Sequence, residues 1–275
     1  GIVWSGAMTA SIDATRASFS RPGTAALYTV QMTPGVRASF RTDATQVEVT
    51  VDYVSIAILP EFSVEVDGVP QPKIGMGTLG AQTLVVTTQP TPVPRVVTIV
   101  WPVGADVDLL SIGLTGGSQQ LLPYSPPPAS QRVVCFGDSI TQGVFTSEPN
   151  DTFPARLARA RGWSMINAGF AGHYTVGSDG AAIGALQPTL VVLAIGTNDF
   201  SYQTPLPSFV SEYDQWLTNF RAQPGCAEVP IVCVTPTMRS DEADKPILLE
   251  DYRYYIRWIV SARGLSDPNL YLLEG

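Results

Sequence analysis

Histidine is almost missing from this 275-residue chain, where His173 stands alone. The scarcity excludes a histidine-rich metal cluster and leaves one imidazole for proton transfer near neutral pH. Lysine is nearly as rare, limited to Lys73 and Lys245, and the net charge is −8. Binding to a nucleic acid backbone relies on clustered cations, so nucleic acid is not an expected partner. No apolar run approaches the roughly 20 residues that cross a bilayer, so no membrane anchor is expected. The three cysteines are an odd number without metal-ligand spacing, which argues against a disulfide framework and a bound metal. Cys135 and Cys233 sit inside apolar runs and read as small core residues, while Cys226 lies in a Pro-Gly-Cys loop, open to an outside thiol. The chain begins without an initiator methionine or a signal-like segment, which fits a trimmed mature form or a recombinant segment and assigns neither cytoplasm nor secretion.

Hydrophobic residues make up 45% of the chain and charged residues 15%, a globular balance over a length that suits two domains. Up to about Gly117 the pattern is short, β-branched and broken by turns. In Gln46 to Tyr53 polar and apolar residues alternate, which places Val47, Val49, Val51 and Tyr53 on one strand face. Phe62 to Val66 alternates similarly, and Asp67-Gly68 marks a tight turn. Runs at Thr83 to Thr87 and Arg95 to Trp101 complete the spacing of an antiparallel sandwich. Residues 1–122 therefore read as an all-β domain. Residues 123–131 hold the run Pro123-Tyr124-Ser125-Pro126-Pro127-Pro128, which lacks ladder donors and reads as a stiff linker. From 132 to 275 apolar strands alternate with helical patterns, including long helices near 207–222 and 246–262. Such alternation predicts a parallel sheet covered by helices, with its site at the carboxyl ends of the strands.

Three segments fall at such ends, each after an apolar run: Gly137-Asp138-Ser139-Ile140-Thr141, Asn167-Ala168-Gly169-Phe170-Ala171-Gly172 and Gly196-Thr197-Asn198-Asp199. Taken singly, Asp-Ser after a strand is an ordinary helix cap, and the other two are common turn sequences. Their joint order and strand context point to chemistry. A serine hydroxyl needs a base and donors aimed at the oxygen that becomes negative. Gly169 offers a backbone N–H without a Cβ in the way, and Asn198 offers a side-chain amide.

With these blocks the chain from about Arg132 onward resembles the SGNH hydrolases, the GDSL esterases and lipases. The resemblance implies a flavodoxin-like three-layer α/β domain behind the β-sandwich, here jelly-roll-like, and no metal or organic cofactor. It implies Ser139 as nucleophile, with its own N–H, Gly169 and Asn198 as the oxyanion hole. Asp138, His173, Thr197 and Asp199 are the further candidates for substrate binding, and Asp138 and Asp199 also suit the task of fixing their turns. The family's fourth block, Asp-x-x-His, carries the base and has no counterpart before Gly275. The expectation is that the functional protein continues past Gly275 to supply it. His173 with Asp179 is the alternative base and orienter within these residues.

The implied activity is hydrolysis of a carboxylic ester, with a small acyl group on a sugar or polyol as the leading substrate. The sandwich ahead of the α/β domain is similar to the layout of carbohydrate acetyl esterases and of polyketide-tailoring acyltransferases, so acyl transfer through the same acyl-enzyme is the first alternative. A second alternative is a binding protein without its base, using Trp4, Tyr53 and Trp101 to stack on glycan, although aromatics in short alternating strands are more often core. The stiff linker further suggests a sandwich that walls part of the cleft.

Overall fold

The computed structural model describes residues 2–6, 9–12, 17–20, 34–58, 60–75, 77–241 and 245–275. It divides into two compact units, one of residues 1–130 with 143–167 and the other of residues 131–142 with 168–275.

The first unit holds β1 (Val3–Ser5), β2 (Thr9–Ile12), β3 (Ala17–Ser20), β4 (Arg37–Thr42), β5 (Gln46–Ile58), β6 (Phe62–Val66), β7 (Val69–Ile74), β8 (Gly80–Thr87), β9 (Arg95–Val100) and β10 (Gly104–Thr115). They form two five-stranded antiparallel sheets in the orders β1-β4-β9-β6-β7 and β2-β3-β10-β5-β8. On β5 the alternation acts as expected: Val47, Val49, Val51 and Tyr53 are buried and the residues between them are not. They join Phe40, Phe62, Ile99 and Trp101 of the first sheet in one apolar cluster, the shared core of a sandwich. The Asp67-Gly68 turn has positive φ at both positions, 49° and 77°, the conformation that matches the twist of a two-residue hairpin.

Trp101 and Tyr53 are fully buried, and Trp4 packs edge-on against Trp101 at 5.5 Å between ring centres. Of the three aromatics weighed as glycan-stacking groups, Tyr53 and Trp101 are thus core, and Trp4 is partly buried against them. A second departure is β6, where all five residues are buried and no alternation survives. Its Glu65 accepts from Asn150 Nδ2 at 2.9 Å, and Arg159 Nη1 lies 3.8 Å away. These partners come from the 3₁₀ turn Pro149–Asp151 and from α2 (Phe153–Arg161), whose first turn is capped by the Thr152 hydroxyl and whose end is closed by left-handed Gly162. Residues 123–129 carry neither helix nor strand and are largely exposed.

The third sheet combines β11 (Arg132–Gly137), β12 (Ser164–Gly169), β13 (Leu190–Ala194), β14 (Ile231–Val234) and β15 (Leu270–Leu273) in the order β12-β11-β13-β14-β15. Counted from β11 this is 2-1-3-4-5, the doubly wound flavodoxin-like order, and the β11–β13, β13–β14 and β14–β15 pairs are parallel. Around it lie α1 (Ser139–Gln142), α3 (Asp179–Gly184), α4 (Thr197–Tyr202), α5 (Leu206–Arg221) and α6 (Leu249–Gly264). Helix α5 buries Phe209, Tyr213, Trp216, Leu217 and Phe220, the three-and-four spacing of an apolar stripe. Trp216 stacks between Phe136 of β11, at 5.6 Å, and Phe220, at 5.5 Å. The loop residue Cys226 is also buried, its Sγ 3.5 Å from the Gly184 carbonyl, so it is closed to an outside thiol.

Candidate active site

In a 2-1-3-4-5 sheet the crevice opens where β11 and β13 leave in opposite directions, at their carboxyl ends. Ser139 opens α1 two residues after β11, and Asn198 lies in α4, four residues after β13. Gly169 ends β12, on the other side of β11. The fold therefore brings all three motifs to one edge of one sheet.

Hydrogen bonds tie the loops to one another. The Phe170 amide donates to the Gly137 carbonyl at 3.0 Å, and the Ala171 amide to Gln142 Oε1 at 2.7 Å, which joins the second motif to the first. Asn198 Nδ2 donates to the His173 carbonyl at 2.9 Å, which joins the third to the second. Asp199 Oδ2 accepts from both the Thr175 amide, at 2.9 Å, and its hydroxyl, at 2.8 Å. Gly169 has to be glycine, because a Cβ there would run into the backbone of Thr141 and Gln142. Gly196, at φ 123°, takes a conformation open to glycine and bends the chain from β13 into α4.

Asp138 accepts from the Ile140 amide at 2.9 Å, closing the turn that presents Ser139. Burial pushes its carboxyl above the usual aspartate range, opposed by the Ile140 amide, the Thr197 side chain and His173. Burial likewise raises Asp199 against the two Thr175 donors. Both carboxylates are buried, as is His173, whereas Ser139, Thr197 and Asn198 are partly open to solvent.

His173 and Asp179 meet: Nε2 lies 2.7 Å from Asp179 Oδ2, and the ring packs edge-on against Phe136 at 5.6 Å and obliquely against Phe170 at 5.5 Å. Sequence reasoning passed over two aromatics here. Tyr174 and Tyr202 are about half exposed and meet edge-on at 6.2 Å, and the Tyr202 hydroxyl donates to the Gly172 carbonyl at 3.2 Å. The available signal was their spacing, Tyr174 next to His173 and Tyr202 one helical turn beyond Asn198. Among the described residues no group of histidine, cysteine and carboxylates has the arrangement of a metal site.

Residues 135–266 match the model of the GDSL-like lipase/acylhydrolase family. Among solved structures, a salicylyl-acyltransferase from a tetracycline biosynthetic pathway superposes with a TM-score of 0.85 at 21% identity, over 100% of this chain and 82% of its own. A family two carbohydrate esterase from Clostridium thermocellum, in complex with cellohexaose, gives 0.76 at 19% identity over 100% of this chain and 88% of its own. A family two carbohydrate esterase from Cellvibrio japonicus gives 0.75 at 16% identity over 99% and 85%. No curated protein matches in sequence.

Proposed function

We propose, from the match of residues 135–266 to the GDSL-like lipase/acylhydrolase family, that the chain is a serine-dependent carboxylic-ester hydrolase acting through an acyl-serine intermediate. The observation that carries the proposal is the cross-linked sheet edge on which Ser139, Gly169 and Asn198 converge. In this reading Ser139 Oγ attacks the ester carbonyl while its proton passes to a base that is not among residues 1–275, a place that added imidazole can fill, and the N–H groups of Ser139 and Gly169 with the Asn198 amide stabilise the oxyanion. Collapse of that intermediate, with the proton handed from the base to the leaving oxygen, expels the alcohol and leaves the acyl group on Ser139; water then attacks the acyl carbon, gives a proton to the same base and releases the acid as Ser139 Oγ is reprotonated.

His173 holds the site together in this reading and takes no proton from Ser139. Its Nε2 is engaged by Asp179, its ring is enclosed by Phe136 and Phe170, and its carbonyl anchors Asn198. The family resemblance places the base in an Asp-x-x-His block, and residues 1–275 contain none. Asp138 and Asp199 act as turn-fixing groups, each bound to backbone amides.

The substrate class we favour is a small acyl ester of a sugar or polyol. Tyr174 and Tyr202 support it, since exposed aromatic faces beside the oxyanion donors suit the apolar face of a sugar ring. Acyl transfer is the second reading, favoured by the 0.85 TM-score of the acyltransferase structure, and differs only in the nucleophile that takes the acyl group. Product analysis separates the two. With p-nitrophenyl acetate, imidazole as the base and a polyol present, the hydrolase reading predicts free acetate as the main product in excess over an S139A blank. Acetylated polyol as the main product establishes transfer, and equal rates in the chain and its S139A variant overturn both.

A further inference from the structure

Within the first unit, β4, β6, α2 and β12 border a cavity of about 260 Å³, lined by Arg37, Glu65, Arg159, Trp163, Met165 and other residues. That volume is just below the roughly 300–1,000 Å³ of pockets for drug-sized ligands, so it fits a smaller molecule.

The charges around it do not balance. Arg37 Nη2 donates to Asn150 Oδ1 at 3.1 Å, and Arg159 Nη2 donates to the Asn150 backbone carbonyl at 3.0 Å. Both guanidinium groups thus spend donors on neutral acceptors. The one carboxylate present, Glu65, accepts from Asn150 at 2.9 Å and lies 3.8 Å from Arg159, beyond a forked ion pair. Two cations and one anion leave the cavity a net positive charge, within a chain whose net charge is −8. Each guanidinium has five N–H donors, and most of them are unspent on the described residues. Burial lowers the Arg37 pKa, Glu65 opposes the effect and the like charge of Arg159 adds to it. Trp163, Met165, Ala155 and Ala158 are the apolar residues of its lining.

We propose that this cavity binds a small organic carboxylate, its anionic end in the Arg37–Arg159 fork and its apolar body against Trp163. The site is independent of the ester chemistry assigned to Ser139. It is tested by titrating the full chain with benzoate, with benzamide as the neutral analogue and inorganic phosphate as an anion without an apolar body. Binding is followed through the Trp163 indole N–H in NMR spectra, assigned with W163F.

Saturable benzoate binding that shifts the Trp163 signal is expected, with benzamide at least about tenfold weaker, the scale of a charge-assisted hydrogen bond. R37K, which keeps the charge and loses the fork, weakens benzoate by about tenfold or more, and R159Q does the same at an exposed helix position where folding is not at stake. Absence of saturable binding, equal binding of benzamide, indifference to both substitutions, or shifts that bypass Trp163 would each overturn the proposal. Phosphate binding in place of benzoate would overturn its apolar half.

Discussion

Asn198 carries two amide protons, and one of them is spent on the His173 carbonyl. That bond distinguishes the nitrogen of the side chain from its oxygen and leaves a second N–H for the oxyanion role proposed for it. Asp179 then acts at one remove: it holds the His173 ring, and with it the carbonyl on which Asn198 rests. Losing an oxyanion-hole donor outright costs about 10²–10³ in kcat. The expectation for D179A is a smaller fall in kcat with KM little changed, restored by D179N, which keeps an oxygen acceptor for the ring. H173Q separates this role from proton transfer, because loss of a true base lowers turnover by about 10⁶, to the S139A level. A collapse of that size in H173Q would make His173 the base. The three motifs themselves were legible as short strings, since each follows its own strand and needs only local order. The His173–Asp179 bond was legible only as a possibility, because the five intervening residues can fold in many ways before a sheet edge fixes them.

At the scale of elements, alternation read the strands well where one face meets solvent and failed where both are covered. β5 shows the first case and β6 the second. Nothing near Glu65 in sequence announces burial, because its cover, Asn150, is 85 residues away. The helices of the α/β unit were legible from their apolar stripes, but α4 was missed, since six residues beginning Thr-Asn-Asp resemble a loop entry and the turn depends on Gly196. The long β5–β10 pair also places Asp52, Asp106 and Asp108 together, with Asp52 opposite Asp108 in register. Burial first, then Asp108 and Asp52, raises Asp106 to about 6. An unfolded aspartate titrates near 3.9, so the folded state holds this proton more tightly. The resulting stability is present below about pH 4 and is lost as pH rises through 6. Urea denaturation at pH 4 and pH 7 should therefore show D106N gaining on the wild-type chain at the higher pH. Parallel behaviour at the two values would remove Asp106 as the cause.

Across the whole molecule, composition and topology constrain function from different sides. The net charge of −8 and the near absence of lysine and histidine narrowed the partners before any motif was considered. The 2-1-3-4-5 strand order then gathered segments 30 or so residues apart at one crevice. The sequence changes from β-branched alternation to strand–helix alternation around residues 123–131, and nothing in it marks residues 143–167 for the first unit, where Asn150 meets Arg37 and Glu65 from far away in the chain. The central claim is that the sheet edge bearing Ser139 is an acyl-transfer site. Its most direct test is intact-mass and peptide analysis of the chain after brief exposure to p-nitrophenyl acetate, with imidazole added as an external base. One acetyl group is expected on the peptide containing Ser139, absent from S139A and slower to form in N198A. Acetylation elsewhere, or labelling identical in the chain and its S139A variant, would contradict it.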